Sequence, residues 1–422
     1  MKSFYTTLTL LLLLPGFILP AGEQLSSDPL LESARSGNVR SQLLLADAFF
    51  FGRNRKINPA LAVYWYRKAA ENGSVQAQYN LGVCLEQAWG CRRSLIGAFS
   101  QYKKAADKNL LPAVIRYAEL LYTGTPDEPA GKITVPGIQP DPEKALSLLR
   151  SKTDSPEICH ALAVLLLKDI KNLKSNAKEI RTSLEKAAKA EKPQTETLLH
   201  LASVLQNGIG GPSDQKRAAD LLETAVLRDH PAAMTRYGKL LEHGFGRKPD
   251  PERAISLYRR AAEKNHPAGM FELARHLKSG FYISADLAQA FKLFKESAQK
   301  GYAPAFAETG DCFRYGYGVA PSPEQAFDWY MRGARAGVPD AQLKVGECYR
   351  QGISIPEDPA GAVYWYKKAA ENGNAEALRR LAIAFLTGYG VKKNISTGSQ
   401  LLKTAAANGD KEAEKLLIQW SN

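Results

Sequence analysis

Apolar positions along the chain fall three and four residues apart in stretches of about 11 to 14 residues, and turn-forming residues separate one stretch from the next. That spacing collects the apolar side chains on one face of a helix, so it predicts short amphipathic helices throughout. Two blocks nearly coincide, AVYWYRKAAENG at 62–73 and AVYWYKKAAENG at 362–373. The residue that closes the block recurs as Gly37, Gly73 and Asn109, and again as Asp229, Asn265, Gly301, Gly337, Gly373 and Gly409, in steps of 36 within each series. Four more columns keep this register: small residues around Ala77 and Ala113, others around Gly82 and Gly238, glycines such as Gly244 and Gly316, and alanines such as Ala62 and Ala362.

Each unit therefore holds two helices. A glycine with positive φ ends the first, and Asp-Pro or Ser-Pro, as at Asp250-Pro251 and Ser322-Pro323, caps and starts the second. The small columns read as points where the two helix backbones cross closely. Neither helix buries its apolar face alone, so the units must stack. The expected fold is all-α, a right-handed α-α superhelical solenoid of about ten 36-residue helix-turn-helix repeats, covering 28–420. Helical pairs run from about 40 to 408, after a half-unit at 28–36 and before a polar capping helix at 411–420. The third and fourth repeats, at 112–192, are irregular. An insertion, TPDEPAGKITVPGIQP at 125–140, reads as an extended loop. The fourth repeat, 157–192, loses the glycine and aromatic columns and carries eight Lys+Arg against four acids between Lys168 and Lys192. It reads as a degenerate repeat with a solvated charged face, or as a docking site or kink.

The pattern LG-x2-Y/F-x3-G-x-G followed by DP-x2-A-x2-WY-x-KAA-x2-G, seen from Thr309 to Tyr330 and from Asp358 to Gly373, resembles the Sel1-like repeat, a relative of the tetratricopeptide repeat. The resemblance implies adaptors and assembly scaffolds rather than enzymes, with first helices lining a concave face. On that geometry the outward positions are Lys239, Arg275, Asp311 and Glu347 in one column and Glu242, Lys278, Arg314 and Arg350 in another, joined by Arg379. Two readings stand: Asp311 with Arg314 and Glu347 with Arg350 as i,i+3 pairs worth ~0.2–0.5 kcal/mol each, or a basic groove for an acidic peptide or polyanion.

The chain has 422 residues, 45% apolar and 23% charged, proportions that exclude disorder, collagen and a polytopic membrane protein. Its net charge of +13 favours anionic partners such as phosphates, uronic acids or anionic lipid headgroups. Lys2, an apolar stretch from about Leu8 to Leu19 and small residues at Ala21 and Gly22 read as a signal peptide, 1–21, too short to span a bilayer. The mature protein is then periplasmic or secreted. With no cysteine before Cys84, it is not a lipoprotein.

Little catalytic chemistry is legible. Cys84, Cys312 and Cys348 share one repeat column and read as core residues, while Cys84 and Cys91 are near enough in sequence to bridge in an oxidising compartment. His230 and His266 are one repeat position rather than metal ligands. Ser183/Lys186 and Ser297/Lys300 match Ser-x-x-Lys without a Lys-Thr-Gly partner. Triplets such as Tyr66-Arg67-Lys68 and Tyr258-Arg259-Arg260 fall in last helical turns, where cations favour the dipole, and do not argue for nucleic acid. No catalytic residue, cofactor or metal is expected. The primary reading is a non-enzymatic protein–protein scaffold of the bacterial envelope or secreted space. The alternatives are a periplasmic scaffold for an anionic exopolysaccharide such as alginate, and a secreted Sel1-like protein with penicillin-binding or β-lactam hydrolase activity.

Overall fold

The computed structural model describes residues 28–130 and 133–420, so the leader expected at 1–21 lies outside them. The described residues divide into two compact bodies, one ending at Asn176 and the other beginning at Ala177. Among the described residues no helix is long and apolar enough to cross a membrane.

The first body opens with Pro29–Arg35 and continues in antiparallel pairs, Val39–Phe51 with Pro59–Glu71, Val75–Gln87 with Leu95–Ala106, and Leu111–Thr123 with Pro142–Arg150, followed by Pro156–Lys168. In the second body Thr195–Gln206 pairs with Gln215–Leu227, Pro231–His243 with Pro251–Glu263, and Pro267–Ser279 with Leu287–Gln299. Ala303–Tyr315 then pairs with Pro323–Arg335, Pro339–Gln351 with Pro359–Glu371, and Ala375–Thr387 with Ile395–Ala407, and Lys411–Trp420 closes the run. From Pro29–Arg35 to Pro156–Lys168 in the first body, and from Thr195–Gln206 to Lys411–Trp420 in the second, each helix packs on the next, as the repeat requires.

Local chemistry sets the helix ends. Asn58, Ser94, Asp141, Asp214, Asp250, Asp286, Ser322, Asp358 and Asn394 cap the second helices, each accepting from a backbone N–H inside the first turn. The near-identical blocks reproduce their bonds 300 residues apart: Asn72 Nδ2 donates to Gln42 Oε1 at 2.9 Å, and Asn372 Nδ2 to Gln342 Oε1 at 2.9 Å.

The recurrent glycines serve two different needs. At Gly73, Gly301 and Gly373 the space around a Cβ is empty and only the positive φ matters, which is why Asn109, Asp229 and Asn265 stand in the same column. At Gly90, Gly246, Gly318 and Gly390 a Cβ would lie within 1.9–2.2 Å of the carbonyl oxygen of Pro59, Gln215, Leu287 or Pro359, at the start of the preceding second helix.

The crossing column corrects the sequence reading. What excludes a side chain at Gly82, Gly238, Gly310 and Gly346 is chiefly a buried tyrosine ring, Tyr102, Tyr258, Tyr330 or Tyr366, at 2.3–2.6 Å from the Cβ position, rather than a facing backbone. Where the tyrosine column holds Phe294 or Leu402 the small residue is Ala274 or Ala382. Ala46 keeps its tyrosine, Tyr66.

The 125–140 insertion is a β-hairpin, Glu128–Ala130 antiparallel to Ile133–Val135, closed at its base by Thr125 N to Ile138 O at 2.9 Å and Ile138 N to Thr125 Oγ1 at 2.8 Å. Its Glu128 carboxylate reaches back to the helix Leu95–Ala106, accepting from Ser94 Oγ at 2.7 Å, Ile96 N at 3.1 Å and Leu95 N. The degenerate fourth repeat is helical as well: a 3-10 turn, Ile170–Asn172, leads from Pro156–Lys168 into Leu173–Ala188.

Candidate functional site

The first helices present polar columns one turn apart, and the tyrosines of the second helices organise them. Tyr66 O–H donates to Asp47 at 2.6 Å, Tyr102 to Glu86 at 2.8 Å, Tyr258 to Glu242 at 2.9 Å, Tyr330 to Asp311 at 2.5 Å and Tyr366 to Glu347 at 3.0 Å. Four of these carboxylates also take a cation from the next repeat: Glu86 from Arg116, Glu242 from Arg275, Asp311 from Lys344 and Glu347 from Arg380. The result is a tyrosine–carboxylate–base link from one repeat to the next.

This network accounts for the residues expected on the binding face. Lys239 pairs with the buried Glu272 at 2.6 Å, and Arg275 bridges Glu242 and Glu272 at 3.3 Å each. Lys278 donates to Glu308 at 2.8 Å and lies 5.0 Å from the ring centroid of Tyr317; despite burial, that partner keeps its pKa above the ordinary lysine value. Glu347 pairs with Arg350 at 2.7 Å, as its spacing suggests, and Arg379 holds Asp410 at 2.8 Å. Asp311 does not pair with Arg314: it is taken by Tyr330 and, at 2.9 Å, by Lys344. Arg314 instead donates to Gln351 Oε1 at 2.8 Å and lies over Tyr315. Burial opposes ionisation of Glu347, but Arg350, Arg380 and Tyr366 outweigh it and hold its carboxyl below the ordinary range.

A cavity of about 770 Å³ opens in the second body at the ends of Pro231–His243 and Pro267–Ser279. Its wall carries Phe281, Tyr282 and Tyr317 beside Glu242, Arg275 and His276. Tyr282 occupies the column of Gly246 and Gly318 with φ +67°, a conformation a bulky side chain rarely adopts. Its Cβ excludes the close approach that Gly318 makes to Leu287 O, and the cavity lies against this turn.

Other candidates fall into structural roles. Ser297 is buried and donates to Pro267 O at 2.8 Å, and Ser183 is buried too. Cys84, Cys312 and Cys348 are buried, which pushes their thiols up to about 12, 12 and 11. Cys84 and Cys91 are unbridged, Cys91 Sγ donating to the Cys84 carbonyl at 3.5 Å. His230 and His266 occupy helix N-cap positions; His266 Nδ1 accepts from Gly269 N at 3.3 Å. Among the described residues no cluster of His, Cys, Asp or Glu could hold a metal ion.

Nine segments of the chain, 39–74, 75–110, 112–151, 196–230, 231–266, 267–302, 306–338, 339–374 and 375–410, match the family described as Sel1 repeat. The chain belongs to the Sel1 repeat family. Nine packed helix pairs are present among the described residues, and the stretch 156–188, which lacks the glycine and aromatic columns, falls outside the Sel1 segments. A Sel1 repeat protein from Oxalobacter formigenes is 28% identical, with a TM-score of 0.52, over 56% of this chain and 97% of that one. The antigen c5321 of uropathogenic Escherichia coli, which displays an SLR fold, shares the fold at 23% identity and TM-score 0.55 over 93% of this chain and 82% of its own. DAP3-binding cell death enhancer 1 of Rattus norvegicus is 30% identical over 106 residues; the match spans only 20% of that relative's length. Sel1 repeats are in general modules of protein–protein interaction, and Sel1 scaffolds are typically non-catalytic.

Sequence reasoning picked two of the three columns on the first-helix face. It missed the one a turn earlier, which holds Arg116, Arg236, Glu272, Glu308, Lys344 and Arg380. The signal was present: opposite charges stand 30 or 33 residues apart, one repeat less one or two helical turns. The cavity had a signal as well, a tyrosine in a glycine column.

Proposed function

We propose that this Sel1 protein is a non-catalytic adaptor that holds another polypeptide on the first-helix face of its second body, between residues 231 and 351. The observation that carries this reading is an aromatic edge at the ends of three successive first helices, formed by Phe245, Phe281, Tyr282 and Tyr315, each at least half exposed. Exposed aromatic clusters beside a polar rim have the composition of protein-binding hot spots. Two guanidinium groups on the same face, Arg236 and Arg314, have no carboxylate within 4 Å among the described residues; Arg236 donates to Leu199 O at 3.2 Å, and burial holds its pKa below the usual arginine value. Carboxylates on the partner would complete them. Lys2, the apolar run 8–19 and Ala21 support work in the periplasm or outside the cell after cleavage near Ala21.

The test is retention from a native envelope extract on immobilised residues 22–422, at low and high salt, compared with a Phe281→Ala/Tyr282→Ala variant. A polypeptide held at high salt by the parent and released by the variant, then reconstituted from purified components, supports the adaptor. The net charge of +13 and the two arginines favour a second reading, a scaffold for an anionic exopolysaccharide such as alginate. That reading requires uronic-acid polymer on the resin, lost as salt rises, and equal retention by the variant.

A further inference from the structure

Four asparagines stand directly before a glycine: Asn72, Asn207, Asn372 and Asn408. Asn-Gly is chemically fragile, because glycine has no Cβ to shield its backbone nitrogen from the neighbouring side chain. That nitrogen attacks the asparagine Cγ: the N–Cγ bond forms, the Cγ–Nδ2 bond breaks, and the glycine N–H proton leaves with the amide as ammonia. Water then opens the cyclic imide at either carbonyl, giving aspartate or, with the main chain rerouted through Cγ, isoaspartate. The side chain must swing onto the next nitrogen for this to happen, so a bond that holds it elsewhere slows the reaction.

Three of the four sites share one backbone and differ in one contact. Asn72, Asn372 and Asn408 each end a second helix, with φ −85°, −90° and −85° and ψ 14°, 13° and 8°, and the glycines after them have φ +90°, +90° and +89°. All three asparagines are exposed, and nothing lies within 4 Å of a Cβ at any of the three glycines. Each glycine nitrogen donates to the carbonyl three residues back, Ala70 at 3.1 Å, Ala370 at 2.9 Å and Ala406 at 2.8 Å. Asn72 and Asn372, however, are tethered through Nδ2 to Gln42 and Gln342, 30 residues earlier. The same step back from Asn408 reaches Leu378, whose side chain has no acceptor, and among the described residues the Asn408 side chain makes no hydrogen bond. Asn207, at the end of a first helix, is held by the Ser203 carbonyl at 2.9 Å.

We propose that Asn408-Gly409 is the site at which this protein deamidates, and that the product loosens the helix Lys411–Trp420. A carboxylate at 408 stands at the negative end of Ile395–Ala407. An isoaspartate there adds a carbon to the main chain two residues before Asp410, whose carboxylate caps the last helix through Glu412 N and Ala413 N and accepts from Arg379 Nε at 2.8 Å. The helix so capped packs Ala413, Leu416 and Leu417 onto Leu386, Leu402 and Ala405.

The purified protein, incubated at mildly alkaline pH and sampled over weeks, is digested and mapped by mass spectrometry for amide replaced by acid, and isoaspartate is counted with an isoaspartyl methyltransferase. The same series in urea gives the rate of each dipeptide without the fold, and each folded rate is divided by it. On that scale Asn408 reacts about fivefold faster than Asn72 or Asn372, the weight of one hydrogen bond. Gln342→Leu cuts the tether and brings Asn372 up to the Asn408 rate. Leu378→Gln supplies a tether and slows Asn408, a change that misfolding cannot imitate. The isoaspartyl form, separated by ion exchange, shows faster amide exchange over 410–418 and the parent rate at 375–387. Equal corrected rates at the three sites, an Asn372 rate indifferent to Gln342→Leu, or unchanged exchange over 410–418 in the isoaspartyl form overturns the proposal.

Discussion

The ring of Tyr330 fills the space beside Gly310, with Cε1 only 2.3 Å from where a Cβ would be, and the ring is fixed because its hydroxyl is bound to Asp311. Gly310→Ala therefore forces a buried ring to move, and we expect about 1–3 kcal/mol of lost stability in urea unfolding. Gly301 has the same residue type and another reason for it: nothing lies near its Cβ, and φ is +82°. Gly301→Asn, imitating Asn265, should stay within about 0.5 kcal/mol of the parent.

Glu347 gathers Tyr366, Arg350, Arg380 and Gln351 on one nearly buried carboxylate. Glu347→Gln keeps the shape and loses the charge. Because both arginines are about a third exposed, solvent screens part of the loss, and a cost of about 1–2 kcal/mol is expected. A double-mutant cycle with Tyr366→Phe should give a coupling of about 1 kcal/mol; additive effects would mean that the hydroxyl does not hold the acid.

Stability should fall in mild acid because of two histidines. Burial first, then the charges of His230 and Arg236, hold His266 below its ordinary pKa of 6.5; burial and Arg236 do the same for His200. Above about pH 6.5 both are neutral whether the chain is folded or not. As pH drops below 6.5 the unfolded chain binds protons that the folded chain refuses, so unfolding free energy decreases with falling pH. Thermal melts from pH 8 to 5 should be flat at first and then decline. His266→Asn, which keeps an acceptor for Gly269 N, should remove its share of the decline. Below about pH 4.5 a second loss follows, since Glu347, Glu242 and Asp410 are held below their ordinary carboxylate values by their donors.

Glu128→Ala should free the hairpin from the helix Leu95–Ala106. Faster amide exchange at 95–97 and across 125–138, with a stability loss of about 1 kcal/mol, is the expected result. Exchange confined to the hairpin, with 95–97 still protected, would show that Ser94 caps the helix unaided.

The repeat was legible because steric demands recur at a fixed interval: positive φ at Gly73 and Gly373, a close carbonyl at Gly90 and Gly390, and alanine where helices pack. Partner choice was not legible in the same way. Asp311 stands three residues from Arg314, an ordinary helical pair, yet it bonds Tyr330 and Lys344 because stacking brings the next repeat's base closer than its own. The hairpin at 125–140 was read as extended, but its tie to Ser94 depends on where folding places Glu128, which composition does not encode. The missed column at Lys344 and Arg380 has the same origin, since a 33-residue offset is visible only once a superposed stack is in mind.

Tyr282 shows what averaging would erase. Anyone rebuilding this chain from the mean of its own repeats would write glycine there, as at 246 and 318, relieve a left-handed tyrosine and gain about 1 kcal/mol. The rebuilt turn would then be free to settle onto the preceding helix as those at Gly246 and Gly318 do, closing the recess beside Tyr282. Stability engineering by consensus and retention of the chain's individuality therefore pull in opposite directions at that single position.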